Sequence, residues 1–505
     1  MTTPKSGLDR RTLLKGMGLA AGAAGLGLDM RFAHAQDTDG PRFLIVFAAS
    51  GGASILDGPL AIRASESRNA STLNTFADPL VQSFDGLPFR AVDQRRESLG
   101  QIPQAFTSTH SDFIRRHGRD MMVATWTRTS VNHTIGQRRS VTGNEAWNGR
   151  TLQELVALQY GAQHPLPNVH LMSGSGYTEL GTDRSLPSYC YGEVVADPGL
   201  WPLALDGSKG LPDAPSASLL AKARGVRNDV LDRRSTFSKV FGQSPKLEHW
   251  RQIRAEKQQA IEARDLVSKL MFQTDSARYP LRAFGLSESP LASKVREAFP
   301  RFEKDPLEAQ AALAFLLIRY GVSVTVTLGP SGAFIYDGDQ GGIGRGGLPD
   351  DSVINPPIAF DFSHNGHRSV QALMWQRLYQ LADGLIGLLK SEEFGNGQSY
   401  WDRSAIYFAT DFDRERTRPE NSDDWGTGHH LSNGVVLLSP LVNGGKILGG
   451  VDPHSGLTYG FDPMTGTPDP GREMAEAEIF SGILGAMQVE TTGSGLPPVP
   501  AMRKA

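Results

Sequence analysis

The sequence predicts an α/β protein: a mostly parallel central sheet sandwiched between helices, with a helical insertion. Three observations carry that reading. Short apolar, β-branched runs alternate with segments of three-to-four-residue apolar spacing, the patterns of strands and amphipathic helices in turn. Polar clusters rich in Asp, His and Arg fall directly after several runs, where the carboxyl ends of parallel strands gather a site. At 505 residues the chain is long enough to bury a core of that size.

Before the first run, Asp9-Arg-Arg-Thr-Leu-Leu-Lys precedes a Gly/Ala-rich apolar segment at 16–28, and Ala33-His-Ala35 offers small residues where a signal peptidase reads. This resembles a twin-arginine export signal, with Leu13 where the pattern prefers Phe. The apolar segment is shorter than the roughly 20 residues a spanning helix needs. Residues 1–35 are therefore read as a leader, the export machinery as a partner, and the mature protein as periplasmic or secreted with no membrane span. Formal charge is -3. Removing 1–35 takes away five basic and two acidic residues and leaves -6, a balance that indicates neither nucleic acid nor an anionic membrane as partner. Cys190 is the only cysteine, so no internal disulfide forms.

Arg42-Phe-Leu-Ile-Val-Phe-Ala-Ala reads as the first buried strand and ends in Ser50-Gly-Gly-Ala-Ser-Ile-Leu-Asp57. Its glycines serve either close backbone approach to a ligand or a tight turn into a helix. Asp57 is the nearest carboxylate. A second strand at 121–126 runs into Thr127-Arg-Thr-Ser-Val-Asn-His133. There Thr129 and Ser130 are candidate nucleophiles, Arg128 an anion clamp and His133 a base or ligand, the alternative being a hydrogen-bonded polar loop. A helix at 151–160, capped at Asn148 or Thr151, and a short strand at 168–173 follow, with His170 as a core histidine.

From 216 to 273 the texture turns to charged helical segments, clearest at 256–272, read as part of an insertion reaching about residue 320. A helix at 306–320 starts on proline, and a strand at 322–328 follows. The glycine-rich stretch 338–347 lacks the lysine of a phosphate-binding loop and reads as a surface loop or lid. Asp361, His364 and His367 lie within seven residues, directly before a helix at 369–389. That spacing suits a divalent metal, and Asp361 also suits a helix-start hydrogen bond. A strand at 405–409 breaks into Thr410-Asp-Phe-Asp-Arg, and a loop reaches Gly426-Thr-Gly-His-His before a strand at 435–438. Asp411, Asp413, Arg414, His429 and His430 thus stand between two strand ends. A run at 446–452, a helix at 473–487 and a Pro- and Gly-bearing tail at 491–505, expected without order, complete the chain. Residues 36–490 are expected to form one domain.

In order, Gly51-Gly52, the Asp361/His364 pair before a helix, Thr410-Asp-Phe-Asp-Arg and Gly426-Thr-Gly-His-His resemble an exported family of unknown function in the alkaline-phosphatase and sulfatase superfamily. The resemblance spans most of 40–490. It implies a divalent metal site (zinc, calcium, magnesium or manganese) suited to phosphate or sulfate esters. Asp361 and His364 match the family's Asp-x-His with one extra residue. Asp411 stands where the family has Glu, Asp413 where it has Gly, and Arg414 on its Arg. His429 matches the histidine of an Asp-His pair whose aspartate is Gly428 here, and Ser54 replaces the aspartate of Gly-Gly-x-Asp, leaving Asp57 displaced. The candidate ligands are then Asp57, Asp361, His364, Asp411, His429 and His430, with Arg414 or Arg128 on the anion and Thr129, Ser130 and His133 beside them. Two functions follow: a hydrolase of small anionic esters, or an exported binding or assembly protein for envelope polysaccharide or a partner that keeps the fold without the chemistry.

Overall fold

Every residue of Phe43–Ala49 (β1) is buried, as in a strand covered on both faces. Seven strands join it in one sheet: Met121–Trp126 (β2), Asn168–His170 (β3), Glu193–Val194 (β4), Thr325–Leu328 (β5), Ser404–Thr410 (β6), Asn433–Leu438 (β7) and Lys446–Leu448 (β8). Their order is β8-β2-β7-β6-β1-β5-β3-β4. All neighbours run parallel except those of β7, which opposes both β6 and β2. β1 and β6 pair without a break from Phe43↔Ser404 to Ala49↔Thr410, so the loops that follow them start level and side by side. Because β7 is reversed, the segment entering it arrives at that same edge.

The computed structural model describes residues 40–96, 106–171, 175–199, 201–204, 216–242, 266–277, 279–284, 286–329 and 358–504, with isolated positions between 244 and 251. The leader at 1–35, the glycine-rich loop at 338–347 and most of the helix expected at 256–272 lie outside them. The sheet belongs to one compact unit, Pro41–Ala505.

Helices cover both faces: His110–His117 (α1), His133–Thr142 (α2), Leu152–Tyr160 (α3), Pro306–Arg319 (α4), His367–Ser391 (α5) and Glu476–Ala486 (α6). Successive residues of β6 show the two layers, since side chains alternate along a strand. The Tyr407 hydroxyl donates to the Ser140 carbonyl of α2 at 3.0 Å, whereas Phe408 lies against Trp375 and Tyr379 of α5. α1 and α4 share the α5 face, through Phe113 stacked on Tyr379 and Asp305 paired with Arg377. α3 and α6 pack with α2 on the other. This is the mostly parallel sheet between helices that the sequence predicts. The expected cap at Thr151 is present, its hydroxyl accepting from the Glu154 N–H while Glu154 accepts from the Thr151 N–H.

The tail corrects its composition-based reading. Its last residues are packed, with a 3-10 turn at Pro500–Met502, Val499, Ala501 and Met502 buried and Arg503 bridged to Val442. Met502 lies against the bare Cα of Gly482 in α6, so apolar burial outweighs the proline and glycine content. No helix among the described residues is long and apolar enough to cross a membrane.

His170 is a core residue of β3, as expected, and His110 of α1 is likewise buried. Burial lowers the pKa of each to about 4, below the roughly 6.5 of an unfolded histidine. The unfolded chain then binds more protons, so stability falls as pH drops from about 6.5 toward 4, by roughly 3 kcal/mol for each ring. Urea midpoints are expected to fall between pH 7 and 4.5, and His110→Gln to reduce that fall. An unchanged fall would contradict the assignment.

Candidate metal centre

The turn after β1 is made of Gly51 and Gly52, at φ +101° and +88°, which only glycine adopts at no steric cost. A Cβ on Gly51 would lie 2.1 Å from the Asp361 nitrogen, so the pair brings the β1 loop directly against the loop that enters α5. Their N–H groups donate to the Asp411 carboxylate, Gly51 at 3.0 and 3.2 Å and Gly52 at 2.8 Å.

Asp411, at the end of β6, is fully buried. Its remaining partner is His133 Nδ1 at 2.7 Å. The carboxylate predicted as a metal ligand is thus spent on two glycine amides and an imidazole, and its role is to aim His133. His133 opens α2, where the Asn132 side chain caps the helix by accepting from the Ile135 N–H. With Nδ1–H donated to Asp411, Nε2 faces Asp361 Oδ1 at 3.1 Å.

Asp361 and His364 sit on the 3-10 turn Phe360–His364 immediately before α5. His429 comes from a two-stranded ribbon in which Asp413–Arg414 pairs with His429–His430. His364 Nε2 lies 3.3 Å from Asp361 Oδ1 and 2.9 Å from His429 Nε2, and His429 Nε2 lies 3.9 Å from Asp361 Oδ1. The ligand atoms of His133, Asp361, His364 and His429 all fall within 4.8 Å of one another. Four ligands each about 2.0–2.2 Å from one tetrahedral ion stand roughly 3.4 Å apart, so the spacing suits a cation.

Donor accounting supports the fit. His429 donates Nδ1–H to the Val131 carbonyl at 2.7 Å, which leaves a lone pair on Nε2. His133 in its neutral form does the same through Asp411, and His364 Nε2 faces an Arg414 Nη1 donor at 3.3 Å. Three imidazole nitrogens and a carboxylate oxygen converge on one another, and a divalent ion would satisfy them together once it replaces the His133 proton and the Arg414 contact to His364. The cluster opens to solvent, the Asp361 and His364 side chains being 53% and 44% exposed.

Charge reinforces this arrangement. Burial pushes His364 and His429 below the ordinary histidine value, and the Arg414 charge adds to it, which favours the neutral, ligating form. Burial would raise Asp361, yet the hydrogen bond and charge of His133, then the charge of Arg414, hold its carboxyl far below the usual range. Burial would lower His133, but its hydrogen bonds to Asp361 and Asp411 raise it to about 9. The metal-free protein therefore holds a proton on His133 at neutral pH, which an entering ion must displace. Ion affinity is expected to climb about tenfold per pH unit from 7 to 9. Calorimetry in buffers of different ionisation enthalpy checks this, and an uptake that releases no proton would contradict it.

The other predicted residues lie elsewhere. Asp57 is not a ligand: its Oδ2 is 2.9 Å from His367 Nε2 and accepts from Asn74 at 2.8 Å. His367, buried and stacked on Trp425, reaches the Thr427 hydroxyl through Nδ1, so this network holds the loop that delivers His429. His430 points away from His429, as adjacent strand residues must, and its Nδ1 accepts from the Ser432 N–H. The Thr129 hydroxyl donates to Glu476 at 2.7 Å, and Ser130 accepts from the Asn132 N–H in a local turn, so both hydroxyls have partners outside the cluster. Arg128 is exposed and paired with Glu473. Arg414 does belong to the centre, fully buried beneath Asp361 at 3.1 Å, with Gly51 and Thr427 carbonyls as further acceptors. Gly428 has the Glu415 carboxylate beside it, accepting from its N–H at 2.8 Å.

Sequence reading missed the groups that do the aiming: the Gly51 and Gly52 amides, the Val131 carbonyl, and Asp411 in that role. Backbone groups leave no side-chain signal, and the paired glycines were their only trace.

No family model matches the chain, and no curated protein matches it. Among solved structures it is similar to the crystal structure of Ps i-CgsB in complex with k-i-k-neocarrahexaose, at 9% identity and a TM-score of 0.31, over 91% of this chain and 75% of that one. A likeness of that size assigns no activity, ligand or partner here.

Proposed function

We propose that this protein is an exported, metal-dependent hydrolase of phosphate or sulfate monoesters. The observation that carries the reading is the convergence of His133, Asp361, His364 and His429 within 4.8 Å, directly above the buried Arg414 guanidinium. Three imidazoles and one carboxylate favour zinc or another first-row ion over magnesium or calcium. A bound ion would supply Lewis acidity toward an ester oxygen and bring the pKa of water from about 15.7 to about 7.

The chain's own residues do the rest. Asp411 and the Val131 carbonyl fix the tautomers of His133 and His429. Arg414 directs both Nη groups at Asp361, His364 and carbonyls, so it gives an anionic substrate positive charge at the floor of the site rather than a free fork. With Thr129 bonded to Glu476 and Ser130 engaged in a local turn, water is the nucleophile in this reading. Exposed Val131, Ile135 and Leu431, about half accessible, come from the segments that carry His133 and His429 and favour an apolar leaving group. The twin-arginine pattern and the superfamily resemblance of the sequence support export, by a route that carries folded chains.

One observation favours the second reading, an exported binding protein without chemistry: both hydroxyl candidates are held by other partners. Elemental analysis and assays with an aryl phosphate and an aryl sulfate separate the two. Near one divalent ion per chain, lost in His364→Ala/His429→Ala, together with hydrolysis of either ester, supports the proposal. Metal retained by the double variant would sink the site. Metal bound without hydrolysis of either ester would leave the binding reading.

A further inference from the structure

Seven of the fourteen exposed large hydrophobic side chains among the described residues fall between 219 and 241. This part of the insertion is a run of helical turns, including Ala217–Gly225, Val226–Leu231 and Thr236–Phe241. Leu219, Val226 and Val230, spaced seven and four apart, form one stripe. Phe237, Val240 and Phe241 form a second, 59%, 67% and 52% exposed, with the two phenyl rings 5.0 Å apart. Ordinary surface helices bury such residues, so this face is built to be covered.

The charge around it says by what. Residues 216–242 hold six Lys and Arg against two Asp, net +4, in a chain whose total is -3, so the remainder carries -7. Overall charge conceals this segregation. Arg233, Arg234 and Lys239, within eight residues of the second stripe in sequence, are exposed, Arg233 lying 3.8 Å from the Glu248 carboxylate. A symmetric dimer through this face would set two such basic surfaces against each other, whereas an anionic bilayer takes the apolar side chains and neutralises the cations at once.

We propose that the insertion docks the protein on an anionic phospholipid surface, with Phe237, Val240 and Phe241 entering the headgroup region and Arg233, Arg234 and Lys239 meeting lipid phosphates. The contact lies on the surface and does not span it.

The test uses the protein lacking residues 1–35, which leaves the compact unit Pro41–Ala505 intact and removes the apolar leader as a rival anchor. Co-sedimentation with phosphatidylcholine vesicles, with and without about 30% phosphatidylglycerol, is expected to show at least about tenfold tighter binding to the anionic vesicles, lost near 0.5 M salt. Phe237→Ser/Val240→Ser/Phe241→Ser and, separately, Arg233→Glu/Arg234→Glu should each weaken binding about tenfold or more while metal content stays unchanged. Unfolding midpoints identify a variant that fails to fold, in which case the other decides. Equal binding to both vesicles, no binding, or variants that bind like the parent would overturn the proposal. So would a dimer that the serine variant dissociates, which would make a second copy the occupant.

Discussion

Asp411→Asn leaves the chain folded and lowers divalent-ion affinity by about 10- to 100-fold. The amide oxygen still accepts from Gly51 and Gly52, which the carboxylate holds at 2.8–3.2 Å. Its NH2 group, however, then faces His133 Nδ1, which must become an acceptor. The proton moves to Nε2 and covers the lone pair aimed at Asp361. Asp411→Ala removes all three bonds and empties a fully buried position, costing about 3–5 kcal/mol as well. Denaturant unfolding beside metal titration separates the variants: the first is expected to lose affinity with little stability, the second both. Unchanged affinity in Asp411→Asn would mean that His133 does not bind the ion through Nε2.

Asp305→Ala is expected to destabilise the protein by about 3–5 kcal/mol without touching the metal centre. Asp305 is fully buried at the start of α4, where it caps the helix by accepting from the Leu307 and Glu308 N–H groups at 3.0 and 3.4 Å. The same carboxylate meets Arg377 of α5 at 2.6 Å. Its removal strips the cap and leaves the Arg377 charge in the core without that carboxylate. Arg377→Met added to Asp305→Ala should recover part of the loss, because two absent charges cost less than one left behind. Urea midpoints of the single and double variants check this, and a fully additive double variant would refute the coupling.

The sheet was legible in the sequence because β1, β6 and β7 are buried on both faces and so read as unbroken apolar runs. α2 was not. Its buried residues are Gly136, Gln137, Val141 and Thr142, which make no apolar stripe, so His133 read as the end of a polar loop. Asp361, His364 and His429, candidates by residue type and spacing, are brought to one point with His133. Asp411 looked the same by type, and only the Gly51 and Gly52 amides, some 360 positions away, turn it into an orienting group. Asp57 fails in the same way, through His367. His430 could have been set aside from alternation alone, since neighbours on a strand face opposite sides.

The level ends of β1 and β6 and the reversal of β7 have a kinetic consequence. His133, the Asp361–His364 turn and His429 reach one point only after strands from both ends of the chain have taken their places, so the centre is a readout of completed folding. An ion that binds only this assembled state acts as a latch on the whole sheet, adding about 4 kcal/mol when present at a thousand times its dissociation constant. Chelation should then speed global unfolding rather than loosen one loop.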